Sequence, residues 1–435
     1  MSRALMAGLT AVLLLGVTPV GAGAGVTDVQ SLSAGGQEVR HPQVAVDRDG
    51  DALVVWERRD GSSGNWWRVQ ARWRSAAGVL SDVQNLSPAG QDAQDPQVAM
   101  DRNGNAVVVW EVTSYSPTEG GESVQARRRS ASGTLGPVRT LSDPGQKADD
   151  PQVAMDPGGN AVVVWRRYDG ANSRIQARAR SASGALSGVQ TLSAAGRMAQ
   201  HPQVAVDLAG NAVVVWERYD GANWRIQARR RSASGGVLSA VQTLSPKGED
   251  DFYPQVAVDG GGNAVVVWYR FQAGMHRLVQ ARGRSASGVL SAVQTLSPEW
   301  EDAYDPQVAV GRRGNAVVVW ENGSFGWQVQ ARGRSASGAL SDVQTLSPAG
   351  GNAYDPQVAV DPGGNAVVVW RRHGGANWRV QSRGRSASGA LSAVETLSPV
   401  GQDANDPQVA VDSGGNAVVV WENDTNSRIQ GVGLI

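Results

Sequence analysis

Cysteine is absent from the 435 residues, which excludes disulfides, thiolate metal sites, thiol nucleophiles and a lipoprotein anchor. Net charge is absent too. Forty Lys and Arg balance forty Asp and Glu, so no overall field draws the chain to nucleic acid or anionic lipid. Only three Phe and four His occur, and the histidines (His41, His201, His276, His373) are scattered with no motif around them. There is no P-loop, no Gly-x-Ser-x-Gly elbow and no zinc-binding spacing. Beyond the first residues, no apolar run reaches membrane-spanning length, so stable membrane insertion is not expected.

What is present is an ordinary apolar content of 41%, with 54 Gly and 15 Trp. Residues 1–24 carry Arg3, an apolar run and small residues near Ala22-Gly23-Ala24, the pattern of a secretory signal peptide. The expectation is therefore an exported protein, extracellular or periplasmic, with residues 25–435 as one domain.

The rest of the chain repeats itself. Asp355 to Trp370 reads DPQVAVDPGGNAVVVW, and near-copies recur eight times. The repeat Pro stands at 42, 96, 151, 202, 254, 306, 356 and 407, and the repeat Trp always fourteen residues later. A period near fifty with few helix-forming runs is the mark of a β-repeat architecture. In the seventh copy the strand-like pieces are 356–361, 365–370, 379–385 and 391–398. The second is a continuous β-branched run, as for a strand covered on both faces. Asp361-Pro362-Gly363-Gly364 reads as a type I turn and Ser386 to Gly389 as a polar turn.

The ends choose the architecture. Val26 to Ser33 matches only a fourth strand, and Arg428 to Val432 only a third. Complementary leftovers remove a sheet edge by pairing. The expected fold is all-β, an eight-bladed β-propeller of four-stranded antiparallel blades. Its last blade is closed by the N-terminal strand joining three C-terminal ones, with PQVAVD innermost and its Pro at the strand start.

With these repeats the chain resembles the secreted bacterial β-propeller repeat proteins over essentially its whole mature length. Ala359, Asp361, Gly364 and Trp370 are loosely similar to the Asp-box of sialidase-type propellers and to the tryptophan-docking motif of eight-bladed quinoproteins. The spacing departs from both, with three residues from Asp to Gly and six from Gly to Trp. The resemblance implies a propeller and carries over neither family's catalytic residues.

Differences between copies mark where function is expected. The interval from the repeat Trp to the Gln of strand three varies from 9 to 15 and holds nearly all the length variation between copies. The loop between strands two and three therefore varies, and it shares an end of the ring with the crossovers between blades. Aromatics gather there. Trp67, Trp224, Trp327 and Trp378 precede or open strand three, with Arg225 and Arg379 beside them. Phe252, Tyr253, Trp300, Tyr304 and Tyr354 lie on crossovers, and Tyr269, Phe271 and Phe325 follow the repeat Trp. Rings on a polar rim suit stacking on sugars or gripping a peptide. The bland alternative is that they fold back as packing over the blade tops.

The residue before each repeat Pro is expected to ring the channel mouth: His41, Asp95, Asp150, His201, Tyr253, Asp305, Asp355 and Asp406. Five carboxylates on one axis are a candidate Ca²⁺ site, although Asp before Pro is also common turn chemistry. No other cofactor or metal is expected. Alternating arginines on strand three (Arg282 and Arg284, for example) are expected to pair with carboxylates and to cover apolar surface. The last copy has Val432 and Leu434 there. The sequence reading is a monomeric, non-enzymatic binding propeller for carbohydrate or cell-surface polymer. A protein-interaction scaffold is the alternative, and a glycoside-cleaving enzyme with a close pair of rim carboxylates the lesser one.

Overall fold

The computed structural model describes residues 25–434, except 62–65, 114–120, 273–275 and 324–325. The signal-peptide assignment and Phe325 lie outside the described residues. Strands pair into eight four-stranded antiparallel sheets. Blades 1 to 7 span 39–85, 92–140, 148–191, 199–243, 251–295, 303–345 and 353–396, and blade 8 joins the strands of 404–434 to Gln30–Ser31. Each inner strand touches the next, and that of blade 8 touches that of blade 1. The ring is closed: an eight-bladed propeller with the expected strand order.

The second strand of each blade is buried as its composition demands. Val54, Val108, Val163, Val214, Val266, Val318, Val368 and Val419 are all closed to solvent, as is every repeat Trp. Each Trp packs against the second and third strands of the preceding blade. Trp110 lies on Leu53, Val55, Val69 and Ala71, and Trp56 closes the ring on Val418, Val420, Ile429 and Leu32. The tryptophans are thus wedges between blades, and their burial is the main apolar term at each interface.

Turn chemistry sets the strand ends. Gly364 N–H donates to Asp361 O at 3.1 Å, with Gly364 at φ +96°, and Asn365 N–H donates to Asp361 Oδ1 at 2.9 Å. Asn365 Oδ1 then accepts Ala387 N–H at 3.1 Å, tying this turn to the SASG turn of the same blade. The outer strand is reduced in most blades to a two-residue pair plus a separate bridge such as Arg180–Leu186.

Two expectations are corrected. The inner strand of blade 7 begins at Ala353, three residues before the repeat Pro, and its register slips between Tyr354 and Gln357. Pro356 therefore sits in a bulge rather than at a strand start. A bulge leaves one residue unpaired, which is where a residue without an N–H costs the ladder nothing. The residue before it adopts left-handed backbone in every blade, with φ between 43° and 53°. Asp and His are among the few side chains that tolerate this region, which accounts for seven of the eight positions and leaves Tyr253 as the strained one.

The strand-three arginines do not pair mainly with carboxylates. Arg284, 3% exposed, donates through Nε to Gln242 Oε1 of the preceding blade at 2.7 Å, and Gln242 Nε2 donates to Gly288 O at 2.7 Å. Arg282 donates to Ser291 O and, across the interface, to Leu244 O. Buried guanidiniums thus stitch neighbouring blades through carbonyls that the short outer strand leaves open. At the seam between blades 7 and 8 the arginine is Leu434, packed in the core, and the matching Gln is Glu395.

Candidate functional site

The loops between strands two and three and the crossovers meet at one end of the ring. Their contact is a side-chain cap four residues before the repeat Pro. Asp92, Asp250 and Asp403 accept the backbone N–H of Trp67, Trp224 and Trp378 at 2.7–2.9 Å, and Asn352 accepts that of Trp327 at 3.4 Å. Asp302 does the same for Arg277 at 2.9 Å. The crossover of the next blade therefore fixes where each rim aromatic begins. An Asp or Asn at that position was the readable signal.

The rim rings join across blades 4 to 7. From Tyr219 the contacts run through Trp224, Phe252, Tyr269, Tyr304, Trp327, Tyr354 and Trp378 to His373, with centroids 4.9–6.4 Å apart and mostly tilted. A branch leaves Tyr269 for Tyr253 at 5.7 Å, and Tyr253 stacks on His201 at 4.8 Å. Spacings of this size are those of mutually favourable aromatic pairs. Arg277 lies over both Phe271 and Tyr304 and donates to the Tyr304 hydroxyl at 2.8 Å. Arg371 lies over Trp378 at 4.8 Å. Arg379 binds Ser398.

Of the sequence-selected residues, Tyr253, Tyr304, Trp327, Tyr354 and Trp378 fall in this arc together with Trp224. Trp300 stands apart, 71% exposed and in none of these ring contacts. Two are buried. Trp67 is 6% exposed and packed under Arg40 and Arg59, and Arg225 bonds Ser245 and Asp220. Both positions are covered because their neighbours on the rim are long arginines or capping carboxylates. Tyr219 and His373 were missed, since neither lies in a phrase that separates it from the framework.

Carboxylates also ring this mouth, in blades of the arc and outside it. The residue after the repeat Trp is Glu57, Glu111, Glu217, Glu321 or Glu422 in five blades. Four of these accept the backbone N–H of the left-handed residue in the next blade: Asp95, Tyr253 and Asp355 at 2.6 Å, and Asp150 at 3.4 Å. Burial and the charges of Asp149 and Asp95 push Glu111 up to about 8, and burial pushes Asp150 to about 7 against the pull of His201 and Arg166. Burial likewise raises Glu321 to about 7 and Glu422 to about 8.

His41, Glu57 and Asp95 place ligand atoms within 4.8 Å of one another, the sole such group among the described residues. Their atoms are engaged already. His41 Nδ1 lies 3.0 Å from Glu57 and 3.4 Å from Asp95, and Arg40 holds the other Glu57 oxygen at 2.6 Å. Hydrogen bonds to Asp95 and Glu57 raise His41 to about 10, so it is a paired cation at neutral pH. The far mouth differs: a cavity of about 580 Å³ there is lined by the valines that end the inner strands, with Arg48, Arg102 and Arg312 at its edge.

No helix among the described residues is long and apolar enough to cross a membrane. No family model and no curated protein matches the sequence. Among solved structures, the chain is similar to the polysaccharide lyase Uly1, at 10% identity and TM-score 0.52, covering 82% of this chain and 90% of that one. A protein of unknown function from Dyadobacter fermentans matches at 10% identity and TM-score 0.43, covering 72% and 98%. The K499G mutant of NanB sialidase from Streptococcus pneumoniae matches at 9% identity and TM-score 0.38, covering 93% and 70%. At such identities the likeness concerns the fold alone.

Proposed function

We propose that this is an exported, non-enzymatic binding propeller that recognises carbohydrate, as a free glycan or a cell-surface polymer, on its aromatic mouth. The observation that carries the reading is the arc of rings over four consecutive blades, on the one face where copies of the repeat diverge. Sugar rings offer apolar C–H faces to such platforms while their hydroxyls bond the flanking Asn, Asp and Arg. Several weak contacts along one arc gain strength on a polymer by multivalency.

The test is a glycan and polysaccharide array probed with residues 25–435. Binding to a defined set of glycans, lost when the arc is broken, is the expected result. No binding to any glycan, with one protein recovered in a pull-down, replaces this reading by the protein scaffold.

One observation favours a second reading, glycoside cleavage. Glu111 accepts the Asp150 backbone N–H at 3.4 Å, and burial raises both carboxyls toward neutrality, as it does for an acid catalyst. Release of reducing ends from a bound glycan, abolished by Glu111→Gln, would establish it.

A further inference from the structure

Blade 2 breaks the repeat at its seam with blade 3. At six other seams a strand-three arginine donates through Nε to a Gln of the preceding outer strand at 2.7–2.8 Å. Here the arginine is Arg180, and the residue in the Gln position is Arg139. No clasp forms, and of the seven arginines at this position Arg180 alone is not buried. Arg128 completes the group. Burial and the charges of Arg128 and Arg139 together hold Arg180 below the ordinary guanidinium value.

The same copy has lost a hydroxyl. In the other seven blades a Ser or Thr hydroxyl accepts the backbone N–H at the place of Arg128, at 2.8–3.1 Å. Gly136 stands where that hydroxyl would be, so the Arg128 N–H lacks this acceptor. Arg128, Gly136, Arg139 and Arg180 all line one cavity of about 260 Å³, the volume of roughly nine waters. It lies beside the Ser181 to Gly184 turn, at the end of the ring away from the aromatic rim. Its donors outnumber its acceptors. Arg128 gives Nη2 to Asn105 Oδ1 at 2.6 Å and Arg180 gives Nη1 to Ser181 O at 3.1 Å. Arg139 is exposed, and none of the three forms an ion pair among the described residues. Asp101, on an adjoining cavity, already accepts from Asn103 and Asn105. Three guanidiniums and an N–H around one accessible cavity call for an anion with several oxygens.

We infer that this cavity binds a phosphate group, as the free ion or as a monoester, with Arg139 and Arg180 as its clamps and the Arg128 N–H as a further donor. A phosphate carries close to two negative charges at neutral pH and offers three strong acceptor oxygens. That matches a cluster of three cations better than a carboxylate does. The site is separate from the aromatic mouth and does not rest on the carbohydrate reading.

Titration calorimetry at neutral pH and fixed chloride ionic strength tests this with inorganic phosphate, glucose 6-phosphate and glucose on residues 25–435. Two variants restore the repeat and so keep the fold. Arg139→Gln supplies the missing clasp, and Gly136→Ser supplies the missing hydroxyl. A Cβ at Gly136 meets nothing closer than 3.7 Å. The wild type is expected to bind phosphate, and Arg139→Gln to bind it about tenfold more weakly, the worth of one charge-assisted hydrogen bond. Gly136→Ser should weaken it as well. In melting curves phosphate should raise the wild-type midpoint and leave that of Arg139→Gln in place. Tighter binding of glucose 6-phosphate than of phosphate, with glucose silent, assigns a phosphorylated sugar, and the reverse order assigns the free ion. No binding of either phosphate by the wild type, or an affinity that Arg139→Gln leaves unchanged, overturns the site. Neither result bears on glycan binding at the mouth.

Discussion

Glu57 Oε1 accepts the backbone N–H of Asp95 at 2.6 Å across the boundary between blades 1 and 2. Glu57 is fully buried, and the same carboxylate holds His41 and Arg40. It therefore satisfies a left-handed backbone position and two cations at once. Glu57→Ala leaves the Asp95 N–H without its acceptor, strips one partner from each cation, and should cost roughly 3 kcal/mol in denaturant unfolding. Glu57→Gln keeps an acceptor for the N–H and should cost about 1 kcal/mol. Equal losses for the two variants would show that the backbone contact contributes nothing.

His41 makes that contact pH-dependent. Its folded value, about 10, lies above its ordinary value of 6.5. Native protein then binds the proton more tightly, so the contribution is complete below pH 6.5 and is lost as pH rises through about 10. A denaturation series over that range should show a decline in the wild type that His41→Gln flattens. The imidazole is part-exposed, which keeps the effect small.

Glu111 has the same sign from a different cause. Burial and nearby carboxylates raise it from 4.5 to about 8, so stability present below pH 4.5 is lost as pH climbs through about 8. Glu111→Gln removes the group that must ionise while retaining an acceptor for Asp150. Its denaturation midpoint should exceed that of the wild type at pH 8 and match it at pH 5. A midpoint unchanged at pH 8 would show that Glu111 is ionised there at no cost.

The Arg284–Gln242 clasp is the repeated bond between blades that the periodic text concealed. Gln242→Ala strips the acceptor from a buried guanidinium and the donor from Gly288 O. The expected loss is about 2 kcal/mol in urea unfolding. Gln242→Glu restores an acceptor with charge and should recover most of it.

Much of the fold was legible because blade number, strand type and closure follow from turn residues and period-two patterns within one repeat. The inner-strand bulge was not, because Asp before Pro reads equally as a turn and as a left-handed residue inside a strand. The Arg–Gln clasp and the Glu57 bond join residues 38 to 42 apart on different blades, a separation no local pattern exposes. At the site, the aromatics were visible as residue types. Their continuity was not, since it arises only when crossovers of adjacent blades converge. Trp67 and Trp378 share one repeat position, yet the first is buried and the second half-buried. The difference lies in the cover above them, Arg40 and Arg59 against Tyr354 and Arg371.

That contrast separates packing from recognition in one experiment. Trp67 is enclosed, so Trp67→Ala leaves a cavity and should cost about 3–5 kcal/mol of stability. Trp378 lies near the end of the arc with part of its ring open, and its neighbours Tyr354 and His373 already support each face it buries. Trp378→Ala should cost little more than 1–2 kcal/mol in stability, because solvent fills the space it leaves. On an immobilised glycan that the wild type retains, the order should reverse. Trp378→Ala should lose about tenfold in affinity, the worth of one stacked ring, and Trp67→Ala should bind normally below its lowered unfolding temperature. If the two variants lose affinity alike, the arc acts through the folding of the rim rather than through contact with ligand, and the aromatic platform is then packing.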